Sequence, residues 1–181
     1  MRFMAIDSST TSIAFSFWND GELRKYGIIM FSGNGIYEKV KDASSKCAAV
    51  FTYAQVEHVV IESTFFGVNP KVTTDLAMAQ GAILGAGTVH GVKHMASVTP
   101  IQWQNAIGNK ALTKAEKEEI KKNNPGKSAN WYKAQPRKIR KQRTIDFVNN
   151  TYGLSVTDDN VADAIAIGHY SKQNWSDLRW A

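Results

Sequence analysis

The chain has a single cysteine, Cys47, in 181 residues. One thiol excludes a disulfide framework and a cysteine-based zinc site, and a reducing, cytoplasmic setting is the resulting expectation. No apolar run reaches the ~18 residues that a membrane-spanning helix needs. The opening residues, Met1-Arg2-Phe3-Met4-Ala5-Ile6, lack the apolar core and cleavage site of a secretory leader and read as a first strand. His58, His90, His94 and His169 share no metal-ligand spacing. Ser8-Ser9-Thr10-Thr11 resembles a phosphate-cradling turn, but no glycine-rich P-loop accompanies it. No nucleophile stands beside an evident base.

Charge is what the chain has in excess, and it is unevenly placed. Asn109 to Arg143 holds 12 Lys or Arg against three Glu, a net +9, while all other residues sum to −3. A basic block on a mildly acidic body points to a polyanion partner. A solvated helix face is the plainer alternative. Trp131 and Tyr132 lie inside the block, where an aromatic ring could stack on an exposed base. Lys138, Arg140 and Lys141 are its candidate phosphate contacts.

Hydrophobic periodicity gives the element order. Arg2 to Ile6 reads as a buried strand ending at Asp7. Ile13–Trp18 and Leu23–Phe31 read as strands joined through Asn19-Asp20-Gly21, a hairpin signal. Ile36–Tyr53 has helical spacing, Val59–Ile61 is a short strand ending at Glu62, and Val72–Val89 is a helix rich in Ala and Gly. Lys93–Val98 is a fifth strand. Thr99-Pro100 starts a helix, and Thr113 with Glu116 forms a capping box for another. Residues 127–136 read as a loop and Arg137–Tyr152 as a helix ended by Gly153. Asp158 or Asp159 caps a last helix to about Tyr170. This order predicts one domain over residues 1–181, an α/β mixed five-stranded sheet with helices on both faces. A right-handed crossover then sets the Glu62 strand parallel to the Asp7 strand, with both acids at the same edge.

Asp163 sits in Val161-Ala162-Asp163-Ala164-Ile165-Ala166-Ile167, too apolar a run for a surface face. A carboxylate there needs a partner, because burying a lone charge is costly. Three converging acids, Asp7, Glu62 and Asp163, repel one another unless a divalent cation joins them. Mg²⁺ takes oxygen ligands and keeps waters, and two such ions can cleave a phosphodiester. On the last helix Asp159 and Asn160 both share the Asp163 face. Asp159 keeps the charge and is the expected fourth ligand, with Asp158 left to cap.

Ile6-Asp7, Ile61-Glu62-Ser63-Thr64-Phe65-Phe66-Gly67-Val68-Asn69-Pro70, Leu76-Ala77-Met78-Ala79-Gln80-Gly81 and Ala162-Asp163-Ala164-Ile165-Ala166-Ile167 together resemble the RuvC Holliday-junction resolvases. The resemblance runs through almost the whole chain in order, apart from the basic segment. It implies an RNase H-like fold, a homodimer, two Mg²⁺ or Mn²⁺ ions per site, and paired nicks across a four-way DNA junction during recombination and repair. It implies that Asp7, Glu62 and Asp163 are catalytic metal ligands and that Phe65 stacks on a base at the junction centre. It also places Lys138, Lys141 and Arg143 among DNA-contacting residues. The chain departs from the family at Ser8-Ser9-Thr10, where cellular members have Pro-Gly, and at Asn160, where many have an acid. This fits a divergent, phage-like branch. A basic insertion around residues 110–136 is a third departure.

Other readings remain open on the residues alone. One is an RNase H-like nuclease for flaps or RNA–DNA hybrids, and another is a non-catalytic DNA-binding module. An actin-like ATPase would need two such domains. The Val72–Val89 helix, with Ala82, Gly85 and Ala86, is the expected dimer face, although these residues could instead pack on the sheet.

Overall fold

The computed structural model describes residues 1–64 and 69–180. Phe65 therefore lies outside the described residues. Five strands form one sheet: β1 (Arg2–Ser8), β2 (Ser12–Asn19), β3 (Glu22–Met30), β4 (His58–Glu62) and β5 (His94–Val98). Their spatial order is β3-β2-β1-β4-β5. The first three are antiparallel, and β4 and β5 run parallel to β1. At the β2–β3 turn Asp20 and Gly21 both take positive φ, 50° and 79°. That is the backbone a two-residue hairpin of the expected kind requires.

Helices α1 (Ile36–Ala54) and α2 (Pro70–Val89) cover one face. The other carries α3 (Pro100–Ala106), α5 (Ala129–Tyr152) and α6 (Asp159–Gln173), while α4 (Lys114–Asn123) packs on α5. The side-chain period of two divides β1 between the layers. Met4 and Ile6 join the α1–α2 core with Cys47 and Ile83, whereas Phe3 and Ala5 join Trp18, Val148 and Ile165 beneath α6. This mixed sheet, covered on both faces, is the α/β architecture that the element order predicts.

Helix α6 lies unusually close to β2. Ser16 Oγ donates to the Ala164 carbonyl at 2.7 Å and accepts from Trp18 Nε1 at 2.8 Å. A Cβ at Gly168 would collide with the Trp18 indole, so only glycine allows this approach. The packing fixes the height of α6 over the sheet, and with it the position of Asp163.

One element differs from expectation. Residues 127–136 are not a loop, because α5 already begins at Ala129 and runs through Pro136. Ser128 is the N-cap, its side chain accepting from the Trp131 N–H. A proline in a helix interior removes one N–H and usually ends the helix, which is why the sequence reads as a break there. Here good helix formers on both sides carry the helix through it. The basic segment is thus a pair of packed helices, α4 and α5. Among the described residues no helix is long and apolar enough to cross a membrane.

Candidate active site

Strand register builds the site. Ile6 pairs with Ile61 across the parallel β1–β4 ladder, so Asp7 and Glu62 are each one residue further on, side by side. Both share the strand parity of Ala5 and Val60, whose side chains lie under α6. Asp163 comes down from the first turns of α6. The three carboxylates line one cleft of about 270 Å³ with Ser8, Ser12, Arg137, Lys141 and Asn160.

Burial and mutual repulsion define its electrostatics. Burial, followed by the charges of Glu62 and Asp163, pushes the Asp7 carboxyl up to about 8. Burial and the Glu62 charge push Asp163 up to about 7, while Lys141 and the Thr144 hydroxyl oppose the rise. Burial also raises Glu62, against the lowering effect of the Trp103 indole. That indole, wholly buried on α3, donates from Nε1 to Glu62 Oε2 at 2.7 Å. Three raised acids at one sheet edge are disfavoured as charges, and a cation reverses this preference.

The donor set suits a hard cation. All three groups are carboxylates lining one cleft, although among the described residues no three His, Cys, Asp or Glu side chains are already gathered as a group that could hold a metal ion. An open set of oxygen donors on a water-accessible cleft matches the habit of Mg²⁺, which needs few protein ligands. It does not match a structural zinc site.

The fourth position differs from expectation. Asp158 caps α6, its Oδ1 accepting from the Asn160 and Val161 N–H groups at 2.9 and 3.0 Å. Asp159 is thereby free of capping, but it forms an ion pair with Lys141 rather than turning to Asp163. Asn160 is the residue that lines the carboxylate cleft. The two share a helical face in projection, but the lysine on α5 draws Asp159 to itself.

A second cleft, about 510 Å³, shares Glu62 and Asp163 as its inner wall. Lys117 from α4 and Lys133, Arg137, Arg140 and Lys141 from α5 line the rest. The basic block therefore opens onto the acids. Of the expected DNA contacts, Lys138 is exposed on α5 beside Lys133, Arg137 and Lys141. Arg140 donates to Gln104 and Arg143 to Glu116 at 2.7 Å, so both also tie the helices together. Trp131 packs edge-on against Tyr132, ring centroids 5.2 Å apart, with Lys127 6.0 Å from its centroid. The Ser8–Thr11 turn is closed on itself, since Ser9 Oγ accepts from the Thr11 and Ser12 N–H groups.

Sequence reasoning missed Trp103, Arg137, Lys117 and Lys133. For Trp103 a signal existed, because a buried indole N–H needs an acceptor. The cations were visible as charge, but only the α4–α5 pairing shows which of them converge.

Comparison with known proteins relates the chain to one family. The sequence model of the family described as crossover junction endodeoxyribonuclease RuvC matches residues 7–123, well over half of the chain. The match includes Asp7 and Glu62 and stops before α5 and α6, so the place of Asp163 rests on the structure. The RuvC of Campylobacter concisus is 26% identical over 125 residues, spanning 66% of this chain and 77% of that protein. That of Campylobacter lari is 31% identical over 103 residues, 56% of this chain and 63% of the relative. Among solved structures, Thermus thermophilus RuvC in complex with a Holliday junction substrate superposes with a TM-score of 0.73 at 17% identity, covering 100% of both chains. The yeast mitochondrial Holliday junction resolvase Ydc2 gives 0.52 at 13% identity, over 95% of this chain and 78% of that one. With adjacent strand-end acids inside the matched segment and the same fold throughout, this chain belongs to the RuvC family of crossover junction endodeoxyribonucleases.

Proposed function

We propose that this chain is a metal-dependent endonuclease that resolves four-way DNA junctions by paired phosphodiester nicks. The observation that carries the reading is the meeting of Asp7, Glu62 and Asp163 in one cleft whose walls continue into the basic cleft of α4 and α5. A nuclease needs these two features side by side: oxygen ligands for a divalent cation and cations for the phosphate backbone.

Asp7, Glu62 and Asp163 would hold Mg²⁺ or Mn²⁺, two ions per site, with Asn160 rather than Asp159 beside them. The chemistry such a cation would supply is a lowered pKa for a water and neutralisation of charge on the leaving oxygen. The protein's own part is orientation. Trp103 fixes one oxygen of Glu62, leaving the other free to face the cleft. Lys141 stands between Asp159 and the acids, and Arg137 lines both clefts, so each can meet non-bridging phosphate oxygens. Lys133, Lys138 and Arg140 extend this cationic path along α5, and Trp131 lies at its far end. The α4–α5 pair around the basic insertion belongs to the same single domain over residues 1–181, since α5 supplies Val148 to the core under the sheet.

Paired nicks require two sites related by a two-fold axis, as in a homodimer on a junction of matching symmetry. The outer face of α2 is its candidate interface. Gly81 and Gly85 are exposed there, whereas Ala86 packs inward against the sheet core.

The deciding experiment is nicking of a synthetic four-way junction with Mg²⁺, with Mn²⁺ and in EDTA, alongside flap and RNA–DNA hybrid substrates. Metal-dependent, symmetric cleavage of the junction is expected. Equal cleavage in EDTA overturns the metal site, and a preference for flaps or hybrids moves the enzyme to that substrate class.

A further inference from the structure

The β1–β4 ladder ends at the Ile6–Ile61 pair, one residue short of the acids. Beyond it Asp7 and Ser8 stay paired with β2 and Glu62 with Val98 of β5. Asp7 and Glu62 are therefore not a ladder pair themselves, and two buried like charges push each other apart. One side chain bridges the two strand ends. Gln80 of α2 donates from Nε2 to Ser8 Oγ at 2.8 Å and to the Glu62 carbonyl at 2.9 Å. Its Oε1 accepts from the Thr64 hydroxyl.

The grip comes from the α2 side. Ser8 shares the parity of Met4 and Ile6, which face α2, and also borders the carboxylate cleft, whereas Asp7 and Glu62 share the parity of the residues under α6. Gln80 does not line the carboxylate cleft. Its own place is fixed, because its neighbour Ala79 is buried and Ile83, on the same helix, is wholly buried in the α1–α2 core. An amide suits this role because it donates twice and accepts once from a single planar group. A glutamate there would present only acceptors to the Glu62 carbonyl, and methionine would offer neither function.

We propose that Gln80 is a positioning residue that sets the separation of the Asp7 and Glu62 carboxylates, and through it the affinity of the site for a divalent cation. The inference rests on reading those two acids as metal ligands. It adds a residue that touches neither metal nor DNA, working partly through Ser8, the position at which the chain departs from the Pro-Gly of its cellular relatives.

The test is Mn²⁺ binding to the free protein, followed by electron paramagnetic resonance, for wild type, Gln80→Met, Ser8→Ala and the double variant. Loss of a group that orients metal ligands lowers metal affinity by roughly tenfold or more. Gln80→Met should show that loss, with the same factor appearing in the half-saturating Mg²⁺ for nicking. Junction affinity in EDTA should be unchanged, a separation that general misfolding would not give. Ser8→Ala should cost less, and should add little to Gln80→Met, because both remove the same bond. Unchanged Mn²⁺ affinity in folded Gln80→Met overturns the proposal. If that variant does not fold, Ser8→Ala combined with Thr64→Val decides in the same way. Asp7→Asn is the control. Should it bind Mn²⁺ as well as wild type, the metal site itself is wrong and the proposal falls with it; should it lose Mn²⁺ while Gln80→Met does not, only the proposal falls.

Discussion

The Trp103 indole N–H and the Glu62 carboxylate meet at 2.7 Å, joining the first helix after β5 to the end of β4. The indole is fully buried, so no water can replace it as donor. Trp103→Phe keeps most of the ring volume and removes the bond. Glu62, already raised by burial, should rise further once its one opposing contact is lost. A hydrogen bond to a charged group contributes about 1.5–3 kcal/mol. Cleavage at limiting Mg²⁺ should therefore fall on the order of tenfold, with the rate–pH profile displaced to higher pH and recovery at high Mg²⁺. A profile that does not move shows that the indole only fills space.

Asp7 predicts a stability reversal. Its carboxyl rises from 3.8 to about 8 on folding without metal. A group that binds its proton more tightly when folded contributes stability that is full below its unfolded value and is lost as pH rises through the folded one. Metal-free wild type should thus lose stability between about pH 4 and pH 8. Asp7→Asn should be spared that loss, melting above wild type beyond pH 8 in EDTA. It should also abolish cleavage while leaving junction binding largely intact, and lack the rise in Tm that Mg²⁺ gives wild type. Thermal unfolding at pH 5 and pH 8.5, with and without Mg²⁺, checks both effects. A variant that tracks wild type in all four conditions contradicts the site.

The carboxylates were legible in the sequence because strand-end acids and an acid in an apolar helix each break a local pattern. A right-handed crossover then puts both strand-end acids at one edge, and the β1–β4 register gives their common face. Helix α5 was harder, since Pro136 imitates a terminus, and the helix formers on either side, with the packing of α4 against α5, outweigh it. Trp103 and Gln80 were legible as residues but not as partners. Their contacts join residues 41 and 18 positions apart, and no local rule reaches that far. Asp159 is the instructive case. Helical projection puts it near Asp163, but projection along one helix does not include Lys141 on another.

That ion pair leads to a direct comparison. Asn160→Ala removes a side chain from the carboxylate cleft, whereas Asp159→Ala removes one held by Lys141. Half-saturating Mg²⁺ for nicking should rise more in Asn160→Ala. Asp159→Ala should act chiefly on DNA affinity, because Lys141 is released toward the phosphates. The reverse ranking would return Asp159 to the metal site.

Glu116 holds the basic helix pair together. It accepts from the Thr113 N–H and hydroxyl at 2.6 and 2.9 Å and from Arg143 at 2.7 Å. These donors, the Thr113 N–H foremost, hold its carboxyl down at about 2. A lowered acid contributes stability that is present above its unfolded value of 4.5 and is lost as pH falls through about 2. Glu116→Gln should loosen α4 at neutral pH, with faster amide exchange over 114–123 and weaker junction binding. Its own loss of stability between pH 4.5 and 2 should be smaller than that of wild type. Equal exchange in α4 would show that the Glu116 charge does not maintain the pairing.

The outer face of α2 carries the last prediction. Gly81 and Gly85 are one turn apart and exposed, and a Cβ added at either meets nothing within 4 Å. Glycine inside a helix costs about 0.5–1 kcal/mol relative to alanine, so the isolated monomer gains nothing from keeping either. Close approach of another helix gives a use for both, since only the absence of a side chain lets two backbones pack there. Replacing them one at a time with alanine and with leucine separates the two needs. Either alanine variant should hold or raise the Tm of the monomer. Gly85→Leu should leave the fold intact and shift the protein to monomer by light scattering. On four-way junctions it should convert paired, symmetric nicks into single ones, while the rate of each nick at saturating enzyme changes little. A Gly85→Leu variant that remains dimeric and still cuts in pairs moves the interface away from this face.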